Sequence, residues 1–232
     1  MSRRFFASLC LLLAIGFAAL GVWQAERRAW KLDLIARVDA RVHAPAQALP
    51  DPASWARINE HDDAYRHVRA QGVFLNDRET LVKAVTEAGP GWWVITPLRT
   101  ASAILLVNRG FVPPERAASA TRSAGLPTGQ VTVTGLLRLT EPKGAFLQNN
   151  DAVHGRWFSR DVAAIAKAQG LNQTAPFFID ADARPNAGGY PVGGLTVTTL
   201  RNAHLAYALT WFGLAALSLA GSVIVFRAQD PR

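Results

Sequence analysis

The sequence predicts a membrane α+β protein: two transmembrane helices, one at each end, flanking an antiparallel β-rich external domain that is barrel-like and carries short helices. Three observations predict it. Two long apolar runs, residues 5–23 and 204–226, contain no Asp, Glu, Lys or Arg. Half of the residues are hydrophobic, yet mean hydropathy is only +0.09, so the apolar residues are concentrated rather than spread. The middle of the chain reads as short apolar segments separated by turn residues, with no alternating βαβ pattern.

The second run has 23 residues. At about 1.5 Å per residue it spans roughly 35 Å, enough to cross a hydrocarbon core of about 30 Å. The first run has 19 residues and follows Arg3 and Arg4. A cleaved signal has the same basic start, but this run is long for a signal core and Ala18-Ala19-Leu20-Gly21 is a poor cleavage site. It is therefore expected to be an uncleaved anchor. The predicted organisation is a cytoplasmic tail (1–4), a first span (5–23), a periplasmic β-rich domain (24–203), a second span (204–226) and a second cytoplasmic tail (227–232). Both tails are net basic, which places both termini in the cytoplasm of a bacterial inner membrane, although Arg27, Arg28 and Lys31 follow the first span on its far side. Formal net charge is +8, with basic residues interspersed and no basic block, so a nucleic-acid footprint is not expected. The lone Cys10 excludes an intramolecular disulfide and any CxxC chemistry.

After the first span, Trp23 and Trp30 suit the membrane interface, and an amphipathic helix is expected to continue to about Arg41. Gln24 and Arg27 are either surface-helix residues or a docking site for the head of the second helix or for an anion. Residues 65–70 alternate and 72–75 resume the strand after a break that predicts a bulge. Residues 80–85 are β-rich, 87–91 form a turn, and 92–96 form a strand stopped by Pro97. Residues 103–107 are a continuous apolar strand ending in Asn108-Arg109-Gly110. Residues 114–118 begin like a short helix. Residues 130–139 alternate as a strand, and Ser159 is expected to cap a helix over 160–169 with Gly170 beyond it. Residues 177–180 and 195–200 complete seven or eight strands.

Little of the chemistry looked for is present. No two of His43, His61, His67, His154 and His204 stand three to five apart, so an HExxH site is excluded. His61-Asp62-Asp63 reads as a metal-ligand candidate or as a solvated turn. Arg109 follows an apolar strand and either holds a carboxylate, such as a haem propionate, by a bidentate fork or pairs locally at a turn. His204 opens the second span, with Tyr207, Ala208, Trp211 and Ala215 on its face. It reads as a ligand or as part of an aromatic interface belt. Ala14 with Ala18, and Ala216 with Ala220, are small-residue pairs suited to close helix packing. No nucleophile–base set stands out, so an enzyme is not expected.

Taken together, the motifs resemble the Surfeit-locus (Surf/Shy) family of cytochrome c oxidase assembly proteins. The carriers are Gly21-Val22-Trp23-Gln24 with Arg27; Tyr65 and Gly72; Gly91-Trp92 with Thr96-Pro97; Val107-Asn108-Arg109-Gly110; Pro176-Phe177; and Arg201-Asn202-Ala203-His204-Leu205 with Tyr207, Thr210 and Trp211. The likeness covers nearly the whole chain. One departure is Phe111, where the family pattern has Trp after Asn-Arg-Gly.

The resemblance implies a non-enzymatic factor that matures the catalytic subunit of a haem-copper oxidase, with haem a as a transient cofactor. It implies His204 as axial ligand, Tyr207 and Trp211 against the ring, and Arg27, Arg109 or Arg201 at the propionates. Trp23, Gln24, Asn108 and Asn202 are the partner or interface candidates. The catalytic oxidase subunit, the haem a synthesis enzyme and the lipid bilayer are the implied partners. A scaffold that holds the immature subunit without touching haem is the alternative. A membrane-anchored enzyme lacks a set of catalytic groups, and a sensor would need an output domain that the short tails do not offer.

Overall fold

A computed structural model describes residues 3–145 and 147–227 of the chain. The tails of the predicted topology fall largely outside these residues. The chain divides into two compact units, one built from the segments up to Arg37 and from Thr199 onward, the other from Val38–Thr198.

The first unit holds α4 (His204–Arg227) and all of α1 (Arg3–Val42) up to Arg37; both helices are long and apolar enough to cross a membrane. The apolar run and the expected amphipathic extension are thus one uninterrupted 40-residue helix. No proline or helix-ending glycine interrupts residues 3–42.

The second unit is a barrel. Its strands are β1 (Gln47–Ala48), β2 (His67–Phe74), β3 (Thr80–Thr86), β4 (Gly89–Arg99), β5 (Ile104–Val112), β6 (Gln130–Leu139) and β7 (Thr174–Ala181). The order is β1-β2-β6-β7-β5-β4-β3, and an additional β2–β4 pairing closes a ring of five strands. Four of the ring's pairings are antiparallel, while β5 and β7 run parallel. Closure depends on Gly72. A Cβ there would lie 2.3 Å from the Arg99 carbonyl, so only glycine lets β2 pass so close to the end of β4.

Alternation along the strands divides the packing. Val68, Leu98, Leu105, Val107, Leu137, Phe177 and Ile179 belong to the interior core, and Trp55 meets Phe177 edge to face at 6.3 Å. Val82, Ile95, Leu106, Phe178 and Trp157 form a second core under α3 (Val162–Ala168). A short helix, α2 (Glu60–Asp63), precedes β2, and residues 114–116 form a single 3-10 turn.

Several local expectations are corrected. The bulge lies not in β2, whose register with β6 is unbroken from His67 to Val73, but in β4 between Trp93 and Ile95. Pro97 does not end β4. Its carbonyl accepts from the Leu75 amide at 2.8 Å, so its nitrogen faces that same side and no bond to β5 is lost. β5 runs on through Asn108, Arg109 and Gly110 to Val112. The α3 cap is Asp161, which accepts from the Ala164 amide at 3.1 Å. The Ser159 hydroxyl is instead committed to the Glu141 carbonyl, the Gly144 amide and Asn150. Residues 195–200 form no strand, because β7, whose Asp180 accepts from Thr196, is already paired on both edges.

Candidate functional site

The site begins with helix periodicity. On α1, Ala7, Ala14 and Gly21 are buried and Cys10, Phe17 and Gln24 are half-buried, a spacing that alternates between three and four. On α4 the same alternation runs through His204, Ala208, Trp211, Ala215, Ser218, Ser222 and Val225. This is the a/d seam of an antiparallel two-helix coil. Ser222 Oγ donates to the Ala7 carbonyl at 2.9 Å, Phe17 stacks on Trp211 at 5.6 Å, and Phe212 closes over Gly21. A Cβ on Gly21 would lie 2.6 Å from the Phe212 ring, so the close approach depends on the missing side chain. The expected small pairs only partly serve this packing: Ala14 is in the seam, but Ala216 and Ala220 lie on the exposed face.

The seam ends in a polar pair. His204 Nδ1 lies 2.7 Å from Gln24 Oε1. A carbonyl-type oxygen can only accept, so Nδ1 is the donor and carries the proton. Nε2 makes no hydrogen bond among the described residues, and in the neutral ring it keeps its lone pair. This is the arrangement in which a second group fixes the tautomer and ring orientation of a ligating imidazole. The Asn202 side-chain oxygen accepts from the His204 amide at 3.3 Å, holding the first turn of α4.

The other predicted residues fall in different places. Tyr207 is 56% exposed and lies off the seam, whereas the Trp211 ring is committed to Phe17. Trp23 is exposed. Arg27 stands one turn beyond Gln24 and places its guanidinium 4.7 Å from the Trp30 ring centre. Arg201 is exposed.

Asn108 and Arg109 belong to the barrel and project to opposite faces of β5. Asn108 points outward and donates to Asp180 at 2.7 Å. Arg109 points inward and is 3% exposed; its Nη2 donates to the Gly125 carbonyl at 2.5 Å and to Asn186 at 3.1 Å. Burial pushes its guanidinium down to about 10. Phe111 is buried and meets Trp93 edge to face at 6.1 Å, so the departure from Trp keeps the aromatic packing. His61 Nδ1 lies 2.7 Å from Asp62 on the exposed side of α2, a short helix where a metal-ligand set or a solvated turn was expected, and among the described residues no three His, Cys, Asp or Glu side chains come together as a metal cluster.

Two polar groupings were not anticipated. Asp180 also receives Arg138, Arg160 and Thr196. Its sequence signal was a single acid closing the apolar run Phe177-Phe178-Ile179. The other is His67, whose Nδ1 lies 2.9 Å from the Ala44 carbonyl and Nε2 3.0 Å from Asp182. Both partners are acceptors, and the histidine titrates above its ordinary value: burial lowers it, but the two hydrogen bonds and the Asp182 charge outweigh burial.

The sequence model of the SURF1 family matches residues 11–216. The chain belongs to the SURF1 family. It is 39% identical over 226 residues to Surfeit locus protein 1 of Mus musculus, covering 90% of this chain and 71% of that protein. With Surfeit locus protein 1 of Homo sapiens the figures are 37% over 225 residues, 89% and 72%. With a SURF1-like protein of Monosiga brevicollis they are 38% over 224 residues, 90% and 82%. The SURF1 match takes in Gln24, the whole barrel and His204.

Proposed function

We propose that this SURF1-family chain is a non-enzymatic assembly factor for a haem-copper cytochrome c oxidase, binding haem a transiently and handing it to the catalytic subunit. The observation that carries the reading is the His204–Gln24 pair at the end of the helix seam. Gln24 accepts from Nδ1 and fixes the imidazole, so that in the neutral ring the lone pair offered to iron is the one on Nε2. One histidine suits a cargo that must be released, where two would clamp it. Tyr207 is free to meet the ring, whereas Trp211 serves by supporting the seam. Arg27 and Arg201 are the propionate partners near the water boundary. Arg109 lies in the other unit with Nη2 already engaged.

The proposed setting is a bacterial inner membrane, both termini cytoplasmic and the barrel periplasmic. The catalytic oxidase subunit is the acceptor and the haem a synthesis enzyme the donor. The test is the absorption spectrum of detergent-purified protein made in cells that synthesise haem a, beside His204→Ala. A haem band in the parent that is lost or shifted in the variant supports the carrier. A colourless parent that still co-purifies with the oxidase subunit overturns it in favour of a scaffold.

A further inference from the structure

One end of the barrel interior is closed by a cation. Arg109 follows Leu105 and Val107 on the inward face of β5, and its guanidinium lies 4.9 Å from the Phe74 ring centre. Its Nη1 is buried and has no hydrogen-bond partner among the described residues. Among the described residues no acidic side chain forms an ion pair with it; the nearby Glu79 lends its charge from a distance while its carboxylate is held by both arms of Arg122. A buried guanidinium with no directly paired anion is costly, and an anion reaching it would relieve that cost.

The same residue lines a cavity of about 170 Å³. Phe74, Val107, Val131 and Val133 make part of its wall apolar. Arg184 adds a second cation at the exposed side, and it too makes no ion pair or hydrogen bond among the described residues. Asp182 also lines the cavity, but its carboxylate is engaged by His67 at 3.0 Å. The cavity therefore combines an unsatisfied buried donor, an outer positive charge and an aliphatic wall.

We infer that this end of the barrel binds a carboxylate carried on a short aliphatic stem, with Arg109 Nη1 taking the anion and Arg184 drawing it in. Inorganic phosphate satisfies the charge but not the wall. The site is independent of the His204 reading, since its residues all lie in the barrel unit.

The experiment uses the full chain in detergent with butanoate as probe, which is too short to partition strongly into micelles, and follows binding by saturation-transfer NMR. Saturable binding is expected in the parent, at least tenfold weaker in Arg109→Met, several-fold weaker in Arg184→Gln, and unchanged in His204→Ala. Val131→Phe keeps every charge and fills the cavity, so it tests the site even where Arg109→Met lowers the folded yield; it is expected to abolish binding. Absence of butanoate binding in the parent, or equal binding by parent and Val131→Phe, overturns the inference. Phosphate binding as tightly as butanoate overturns the aliphatic part. Competition by protoporphyrin in the parent shows that the site admits a tetrapyrrole propionate, and no competition restricts it to carboxylates on smaller carriers; both support the site.

Discussion

In the barrel, the buried Asp180 carboxylate receives Asn108, Arg138, Arg160 and Thr196, whereas at the end of the helix seam His204 has one side-chain partner and a bare ring nitrogen. The first arrangement spends all of its hydrogen-bonding capacity on tying four other chain segments to β7. The second holds only the orientation of a ring and leaves Nε2 without a partner among the described residues. Saturated networks rigidify a fold, and a single fixed but uncommitted group is what a ligand can use. Arg109 stands between the two cases, with Nη2 engaged and Nη1 unpartnered.

The contrast can be broken at the barrel first. Asp180→Ala leaves Arg138 and Arg160 without their shared acceptor, and a cost of about 3–5 kcal/mol is expected, read as a large drop in the thermal midpoint by circular dichroism. A midpoint within a degree or two of the parent would show that the network is not what holds the wall. Gly110→Ala is expected to cost about 1–3 kcal/mol through backbone strain. Its φ is +129°, and a Cβ would lie 2.1 Å from the Val192 carbonyl.

The helix side is sharpened by a crosslink. A Cβ at Gly221 lies 3.9 Å from Cys10 Sγ, so Gly221→Cys should oxidise onto Cys10 and protect both thiols from maleimide. Adding Gly21→Leu forces Phe212 away and should suppress that crosslink; an unchanged yield would contradict the seam.

The smallest expected effect is a pH dependence. His67 holds its proton more tightly in the folded barrel than in the unfolded chain. Its stabilisation is complete below about pH 6.5 and is lost as pH rises through the raised folded value. The difference in thermal midpoint between parent and His67→Gln should therefore shrink from pH 6 towards pH 9. A difference that grows over that range would reverse the sign.

Much of this was legible in the sequence because some signals are local. The uncharged apolar runs mark the two long helices, and the Val-Thr alternation that opens residues 130–139 marks β6. Other features depend on contacts distant in sequence. Pro97 survives within β4 only because its nitrogen faces away from β5. Residues 195–200 have strand composition, but the sheet offers them no free edge where they lie. Arg109 and Asn108 are neighbours in the chain, yet strand alternation sends them to opposite faces of β5. The Gln24–His204 pair joins residues 180 positions apart, and heptad spacing on each helix was the signal that could have found it.

The most direct measurement is the nitrogen-15 NMR spectrum of histidine-labelled full-length protein, with the His204 signals identified by their loss in His204→Ala. The account predicts a neutral His204 ring with its proton on Nδ1 and a bare Nε2, and a change of that pattern in Gln24→Leu. A proton on Nε2 in the parent, or a His204 pattern indifferent to Gln24→Leu, would contradict it.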